Sequence, residues 1–213
     1  ASVVQLIPLG LVEGAMGKHL RADQYNFAPK TLGVDVAWYG DDRSVIVLRQ
    51  GLMSTVLGKW RDIDNMTLAG LTAQYEDQYQ TDATFVDVGW GTGVIDRLRQ
   101  MGRNPVAVNF GGRPTSAKYA NKRTEMWCEL KKWLESGGAL PDDEDLRDDL
   151  VGPEYSFDPS GRIKLERKED MKKRGLSSPD IADALALTFA YPVRAASSVT
   201  AQFARSKYDV LDF

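Results

Sequence analysis

"FVDVGWGTGV", residues 85–94, admits two opposed readings, and the choice between them decides the fold. A short apolar run ends on an acid, Asp87, and Gly89, Gly91 and Gly93 follow at alternating positions. A strand, a tight turn and a nucleotide-binding helix often begin this way. On that reading the stretch cradles a cofactor such as S-adenosylmethionine. On the other, Asp87 is itself the functional residue, and the glycines give a neighbouring loop or a bulky ligand room to approach.

The flanking segments separate the two. "LGVDVAW" (32–38), "SVIVLRQ" (44–50) and "LMSTVLGKW" (52–60) read as strands, with only Gly40-Asp41-Asp42 and then Gly51 as punctuation. Links this short favour an antiparallel meander. Residues 66–80 carry Met66, Leu68, Leu71, Tyr75 and Tyr79 at helical spacing. Residues 83–90 then read as a strand, 93–102 as a helix closed by Gly102, and 105–110 as another strand. A long amphipathic helix is expected over 121–138, with Met126, Leu130 and Leu134 on one face. "EYSFD" and "RIKLE" around Pro159-Ser160-Gly161 predict a hairpin, and 178–190 an apolar final helix. Three antiparallel strands followed by helices and parallel strands make a mixed α/β order, that of a ribonuclease H-like fold. A methyltransferase should instead begin with its glycine motif and alternate strand and helix. Moreover, "PVAVNF" ends in Asn109-Phe110, without the acid that would hold a ribose. Asp87 is therefore the residue to follow.

Composition narrows the chemistry. The chain has 213 residues, enough for one domain with a sizeable core, and its 43% hydrophobic and 27% charged residues are ordinary for a globular protein. No apolar run suits a membrane span, and the amino end lacks the basic start of a signal peptide. One Cys128 leaves no internal disulfide and fits a reducing compartment. With that Cys and a single His19, a His/Cys zinc site is nearly excluded. Any metal must be held mainly by carboxylates, which favours magnesium, manganese or calcium.

Two strand-borne acids meet that requirement. In "LGVDVAW", alternation puts Thr31, Gly33, Asp35 and Ala37 on one face. Asp is depleted in strands, and this one has small neighbours that leave space beside it. Asp87 repeats the arrangement, sharing a face with Phe85 and Gly89. A third acid comes from "SSPDIADALALTFA": Ser178 suits an N-cap and Pro179 the first helical position. Asp180 is then explained by the helix dipole, whereas Asp183, among alanines and leucines, calls for a specific partner. Asp35, Asp87 and Asp183 are the predicted ligands, and Asp180 and Asp41 further candidates, although a turn explains Asp41 more simply. Such a set can hold a metal pair for phosphodiester hydrolysis. The overall charge of −3 argues against a wholly basic nucleic-acid binder, but Lys164, Arg167, Lys168, Lys172, Lys173 and Arg174 cluster in one stretch. They are the candidate phosphate contacts. The acidic run 141–149 is either a solvated loop or a restraint on DNA access.

Taken jointly, "IPLGLVEGAMG", "LGVDVAWYGDDRSVIVLRQG", "FVDVGWGTGVIDRLRQMG", "VAVNFGG" and "SSPDIADALALTFA" resemble the nuclease domain of the tailed-bacteriophage terminase large subunit. The resemblance implies a ribonuclease H-like fold and a two-metal endonuclease, with magnesium or manganese, that cuts concatemeric double-stranded DNA during genome packaging. It implies Asp35, Asp87 and Asp183 as metal ligands. It also implies an ATPase domain, a small terminase subunit and a procapsid portal as partners, and the cytoplasm of the infected bacterial host as location. "GAMGKHL" is not a Walker A motif, so this chain should be the nuclease half alone. The expected organisation is a lead-in (1–30), a nuclease domain (31–191) and a tail (192–213). The alternatives are a non-catalytic DNA-gripping module of the same fold and an S-adenosylmethionine-dependent methyltransferase.

Overall fold

The computed structural model describes residues 4–195, so most of the predicted tail lies outside the described residues. The chain enters through a short strand β1 (Val4–Gln5) and helix α1 (Leu9–Met16). The meander follows as β2 (Lys30–Asp35), β3 (Ser44–Gln50) and β4 (Met53–Trp60), then α2 (Asn65–Tyr79), β5 (Ala83–Asp87), α3 (Val88–Gln100) and β6 (Val106–Val108). The second half holds α4 (Lys122–Glu135), α5 (Glu144–Val151), the hairpin β7 (Glu154–Phe157) and β8 (Ile163–Leu165), α6 (Lys168–Lys173) and α7 (Asp180–Leu187). None of these helices is long and apolar enough to cross a membrane.

The main sheet runs β4-β3-β2-β5-β6. Strands β2, β3 and β4 pair antiparallel, while β5 joins β2 and β6 joins β5 in parallel. This is the mixed sheet expected from the sequence, not the alternating parallel sheet of a methyltransferase. Gly51 makes the first tight turn possible: it sits at φ 55°, between the paired residues Gln50 and Met53.

Strand alternation builds two cores. Leu32, Val34, Val36, Ile46, Leu48 and Val86 meet Leu68 and Ala69 of α2 and Val94 and Leu98 of α3. Val45, Val47, Phe85 and Val108 point the other way, onto α4 and α7. The predicted face of α4 is buried: Met126, Leu130 and Leu134 all lie in that second core. The predicted face of α2 needs correction. Met66 is exposed, and Leu68, Ala69, Thr72 and Ala73 form the buried stripe. Lead-in residues Leu6, Ile7, Val12 and Ala15 join the second core, and β1 pairs with β7.

Two boundaries differ from expectation. Strand β2 ends at Asp35 and β5 at Asp87, so neither Ala37 nor Gly89 belongs to a strand face. Helix α3 begins directly at Val88, which draws all three glycines into its first turns. Gly91 and Gly93 leave room for neighbouring elements, one of the two uses expected of these glycines. A Cβ on Gly91 would press on Val36 and Val86, and one on Gly93 on Asn65 of α2. The space expected beside Asp35 is filled as well. Gly33 receives the backbone carbonyl of Ala184, so α7 lies directly on β2.

Candidate active site

Parallel pairing of Val34 with Val86 puts the ends of β2 and β5 side by side, and with them Asp35 and Asp87. Carboxyl ends of parallel strands are where α/β sheets place their sites. The close approach at Gly33 then brings α7, carrying Asp180 and Asp183, to the same end. All four acids are buried: Asp35 is 2% exposed, Asp87 7%, Asp180 4% and Asp183 0%. Asp41 is exposed and lines an adjoining open cleft with Asp180, Arg43, Arg61 and Lys172.

One cation gathers three of the buried acids. The Lys168 ammonium lies 3.0 Å from Asp183 Oδ2, 3.5 Å from Asp35 Oδ2 and 3.8 Å from Asp180 Oδ1. The sequence suggested Lys168 as a phosphate contact; its side chain, 28% exposed, reaches these acids from the first turn of α6. Asp183 is the most fully satisfied of the acids. Arg123 Nε donates to its Oδ1 at 2.9 Å, Trp127 Nε1 to the same oxygen at 2.8 Å, and Arg123 Nη2 to Oδ2 at 3.4 Å. Asp87 caps α3, its Oδ1 accepting from Gly89 N–H at 3.1 Å. Asp180 Oδ2 accepts from the Arg43 N–H at 2.8 Å.

Asp35 is the exception. Its Oδ1 is buried and has no hydrogen-bond partner. An unsatisfied buried carboxylate oxygen is costly unless a cation meets it. Burial pushes the Asp35 carboxyl well above the usual range, and the charges of Asp183, Asp180 and Asp87 add to this while Lys168 opposes it. Burial also raises Asp87 and Asp180. Asp183 goes the other way: burial is outweighed by Arg123, Lys168 and the Trp127 hydrogen bond, and the group stays ionised. Among the described residues, no three acidic side chains are set for a cation as they stand. The donor set nonetheless fits one: hard carboxylate oxygens, an orphaned Oδ1, and mutual repulsion that a divalent ion would relieve.

Two details of α7 depart from expectation. Ser178 is not its cap; Pro179 holds that position without a side-chain bond. The cap comes from α5, where Asp149 Oδ2 accepts from Ile181 N–H at 2.9 Å and Ala182 N–H at 3.4 Å. The acidic run is therefore partly built into the fold. Asp143 caps α5 itself and pairs with Lys59, and Asp145 pairs with Arg43. Asp183 lies in the first turn of α7 with Asp180, so the helix dipole favours both acids.

The remaining basic candidates are on the surface, most of them paired. Arg167 and Lys173 pair with Asp170, Lys172 with Asp42, and Arg174 with Glu166 and Glu154. Lys164 is exposed on β8. The sequence reading missed Arg123 and Trp127, which lie on the buried face of an amphipathic helix that looked purely structural. Arg123 stands between Lys122 and Thr124, and the only signal available was Met126 and Trp127 one helical turn on.

No family model and no curated protein matches the chain. Solved structures do. The nuclease domain of the large terminase subunit gp2 of bacterial virus Sf6, in a variant with manganese and beta-thujaplicinol, superposes with a TM-score of 0.75 at 19% identity, over 89% of this chain and 100% of that one. The large terminase nuclease of thermophilic phage G20c with bound magnesium gives 0.56 at 21% identity, over 76% and 81%. The nuclease domain of the Thermus phage P74-26 large terminase gives 0.56 at 18%, over 81% and 82%. Over most of its length, the chain has the ribonuclease H-like fold of these large terminase nuclease domains.

Proposed function

We propose that this chain is the nuclease of a terminase large subunit, a metal-dependent endonuclease that cuts concatemeric viral DNA as a genome is packaged. The orphaned Oδ1 of Asp35, beside Asp87 and Asp183, carries the reading. Asp35, Asp87 and Asp183 would hold two divalent cations, magnesium or manganese, with Asp180 next to them. When bound, such a pair activates a water and stabilises the leaving oxygen of a phosphodiester. The chain's own part is positioning. Arg123 and Trp127 fix the Asp183 carboxylate and keep it ionised. The Gly89 N–H holds Asp87 in one orientation. Lys168 balances the clustered charge and stands where a substrate phosphate would also meet it. The fold shared with terminase nucleases that carry manganese or magnesium supports the same reading.

Double-stranded DNA would be the substrate, approached through exposed Lys164, Lys172 and Lys173. An ATPase domain, a small subunit and a portal would be the partners of the complete protein, in the cytoplasm of an infected bacterium. The test is plasmid cleavage. The protein should nick and linearise supercoiled DNA in manganese with little sequence preference, and chelation should stop it. Full activity in excess EDTA would refute the metal-dependent reading. Tight DNA binding without cleavage in manganese would favour the DNA-gripping module.

A further inference from the structure

Three large aromatic side chains stand exposed within a few residues of the strand-end acids. Trp38 is 58% exposed, Tyr39 61% and Trp90 55%. Single exposed aromatics are ordinary, but a contiguous apolar patch marks a binding surface. These three are contiguous: Trp38 and Trp90 have ring centroids 5.0 Å apart at 35°, and Trp38 and Tyr39 5.4 Å apart at 73°. Their position follows from the topology. Trp38 comes three residues after Asp35 and Trp90 three after Asp87, so both rise from the strand ends that carry the acids.

The platform is anchored beneath and to one side. A Cβ on Gly91 would crowd Val36, so the missing side chain lets the base of the Trp38 loop sit against α3. The Gly40 N–H donates to Asp62 Oδ1 at 3.1 Å, tying the loop to the end of β4. There the adjoining cleft begins, lined by Arg43, Arg61 and Lys172 together with Asp41, Asp42, Asp145 and Asp180. In the chain, Trp38 and Tyr39 lie between Asp35 of the carboxylate site and Asp41 of that cleft. A nucleotide has matching parts: a base with a flat apolar face, and a phosphate for exposed Arg61, the cation of that lining with no ion pair among the described residues, since Arg43 pairs with Asp145 and Lys172 with Asp42. Aromatic stacking tolerates any base, which suits cleavage without sequence preference.

We infer that Trp38, Tyr39 and Trp90 form a stacking platform for an unpaired base of the DNA strand next to the scissile phosphate. This rests on the nuclease reading and adds to it: the site grips a strand whose bases are locally unstacked, as at a nick or a frayed end.

The test is binding of a short single-stranded oligonucleotide in EDTA, where nothing is cut. Wild-type protein should show quenched tryptophan fluorescence, because of its five tryptophans Trp38 and Trp90 are exposed while Trp60 is half-buried and Trp127 and Trp133 are buried. The Trp38→Ala, Trp90→Ala double variant should lose the quench and bind single strand about tenfold more weakly, or worse. The Trp38→Phe, Trp90→Phe variant should keep most of the affinity. Binding to a hairpin-closed duplex should change less than about twofold in either variant, because phosphate contacts dominate there. Unchanged single-strand affinity in the alanine variant would overturn the platform, as would equal loss on both substrates. A wild-type protein that self-associates in sedimentation through these rings, with DNA binding untouched in the variant, would make them a protein contact and overturn it too. Plasmid cleavage by the wild type in manganese is scored separately, so failure of the nuclease reading is distinguishable from failure of the platform.

Discussion

Gly33 and Ala184 meet backbone to backbone: no side chain fits on β2 at Gly33 without striking the Ala184 carbonyl. This contact sets the depth of α7 on the sheet, and so the separation of Asp183 from Asp35. Gly33→Ala should push α7 outward. Overpacking of this kind costs about 1–3 kcal/mol, and more where backbone is the obstacle. Thermal melts should show the loss, and manganese-dependent cleavage should fall further than stability does. A variant with unchanged melting and full cleavage would mean that the helix position is not set here.

Lys168 is the counter-ion that lets three buried acids coexist without metal. Burial alone would lower its ammonium pKa, but Asp35 and Asp183 more than offset this and raise it. Lys168→Met should therefore lower the melting temperature in EDTA. Added manganese should raise it by more than in the wild type, because the cation then supplies all the compensating charge. An equal metal-induced shift in both proteins would separate Lys168 from the cation site.

Asp149 gives the fold a pH dependence of its own. Burial pushes its carboxyl up to about 8, against the two N–H groups of α7 that it caps. A folded-state pKa above the unfolded value means that the native state binds the proton more tightly. Stability from this group is therefore greatest in acid and falls as pH rises from about 4 to about 8, by at most about 1.4 kcal/mol per pH unit. Asp149→Asn keeps a carbonyl for the cap and removes the proton. Denaturation at several pH values should give the variant a flatter profile in that window.

The proposed phosphate contacts make an ionic-strength prediction. Lys172 and Lys173 are more than half exposed, each paired with one carboxylate. Lys172→Glu with Lys173→Glu should weaken duplex binding and leave the fold intact. Each lost phosphate contact should reduce the slope of log affinity against log salt by about 0.9. Arg174 is a poor choice for the same test, because it holds Glu166, Glu154 and the Gly152 carbonyl and its reversal would disturb the hairpin. An unchanged slope would assign Lys172 and Lys173 to the solvated surface.

Much of this arrangement was legible in the sequence because it is local. An Asp inside an apolar strand is out of place wherever it occurs, and strand order brought two of them together. The third acid was legible for the same reason, as a charge among alanines. What was not legible depends on distant pairing. Lys168 belongs to a run of bases, and only the placement of α6 turns it inward while its neighbours stay outside. Asp149 lies in an acidic run with ordinary solvated neighbours, yet it caps N–H groups 32 and 33 positions away in the chain. The glycines of residues 89–93 were read as room for a neighbouring loop or a ligand, and Gly91 does admit the segment after β2; the helix itself went unread because, starting straight at Val88, it leaves no loop residue to announce it.

Asp35 and Asp183 should both be essential to cleavage, yet their variants should shift metal-free stability in opposite directions. Asp35 is held above the normal carboxylate range and keeps an unpartnered Oδ1, so its charge is a burden until a cation arrives. Asp35→Asn should raise the melting temperature in EDTA at neutral pH. Asp183 offers no such relief, because its carboxylate accepts from Arg123, Trp127 and Lys168. An amide cannot satisfy all of these donors, and Arg123 would be left buried and underpaired. Breaking one side of a buried ion pair typically costs about 3–5 kcal/mol, so Asp183→Asn should melt lower. Asp180→Asn is the control: its carbonyl still accepts from the Arg43 N–H, and measurable cleavage should remain. Plasmid cleavage in manganese and melts in EDTA settle all three variants. If Asp180→Asn were inactive while Asp183→Asn still cut, the third ligand would be Asp180, and Asp183 would be only the anchor of Arg123.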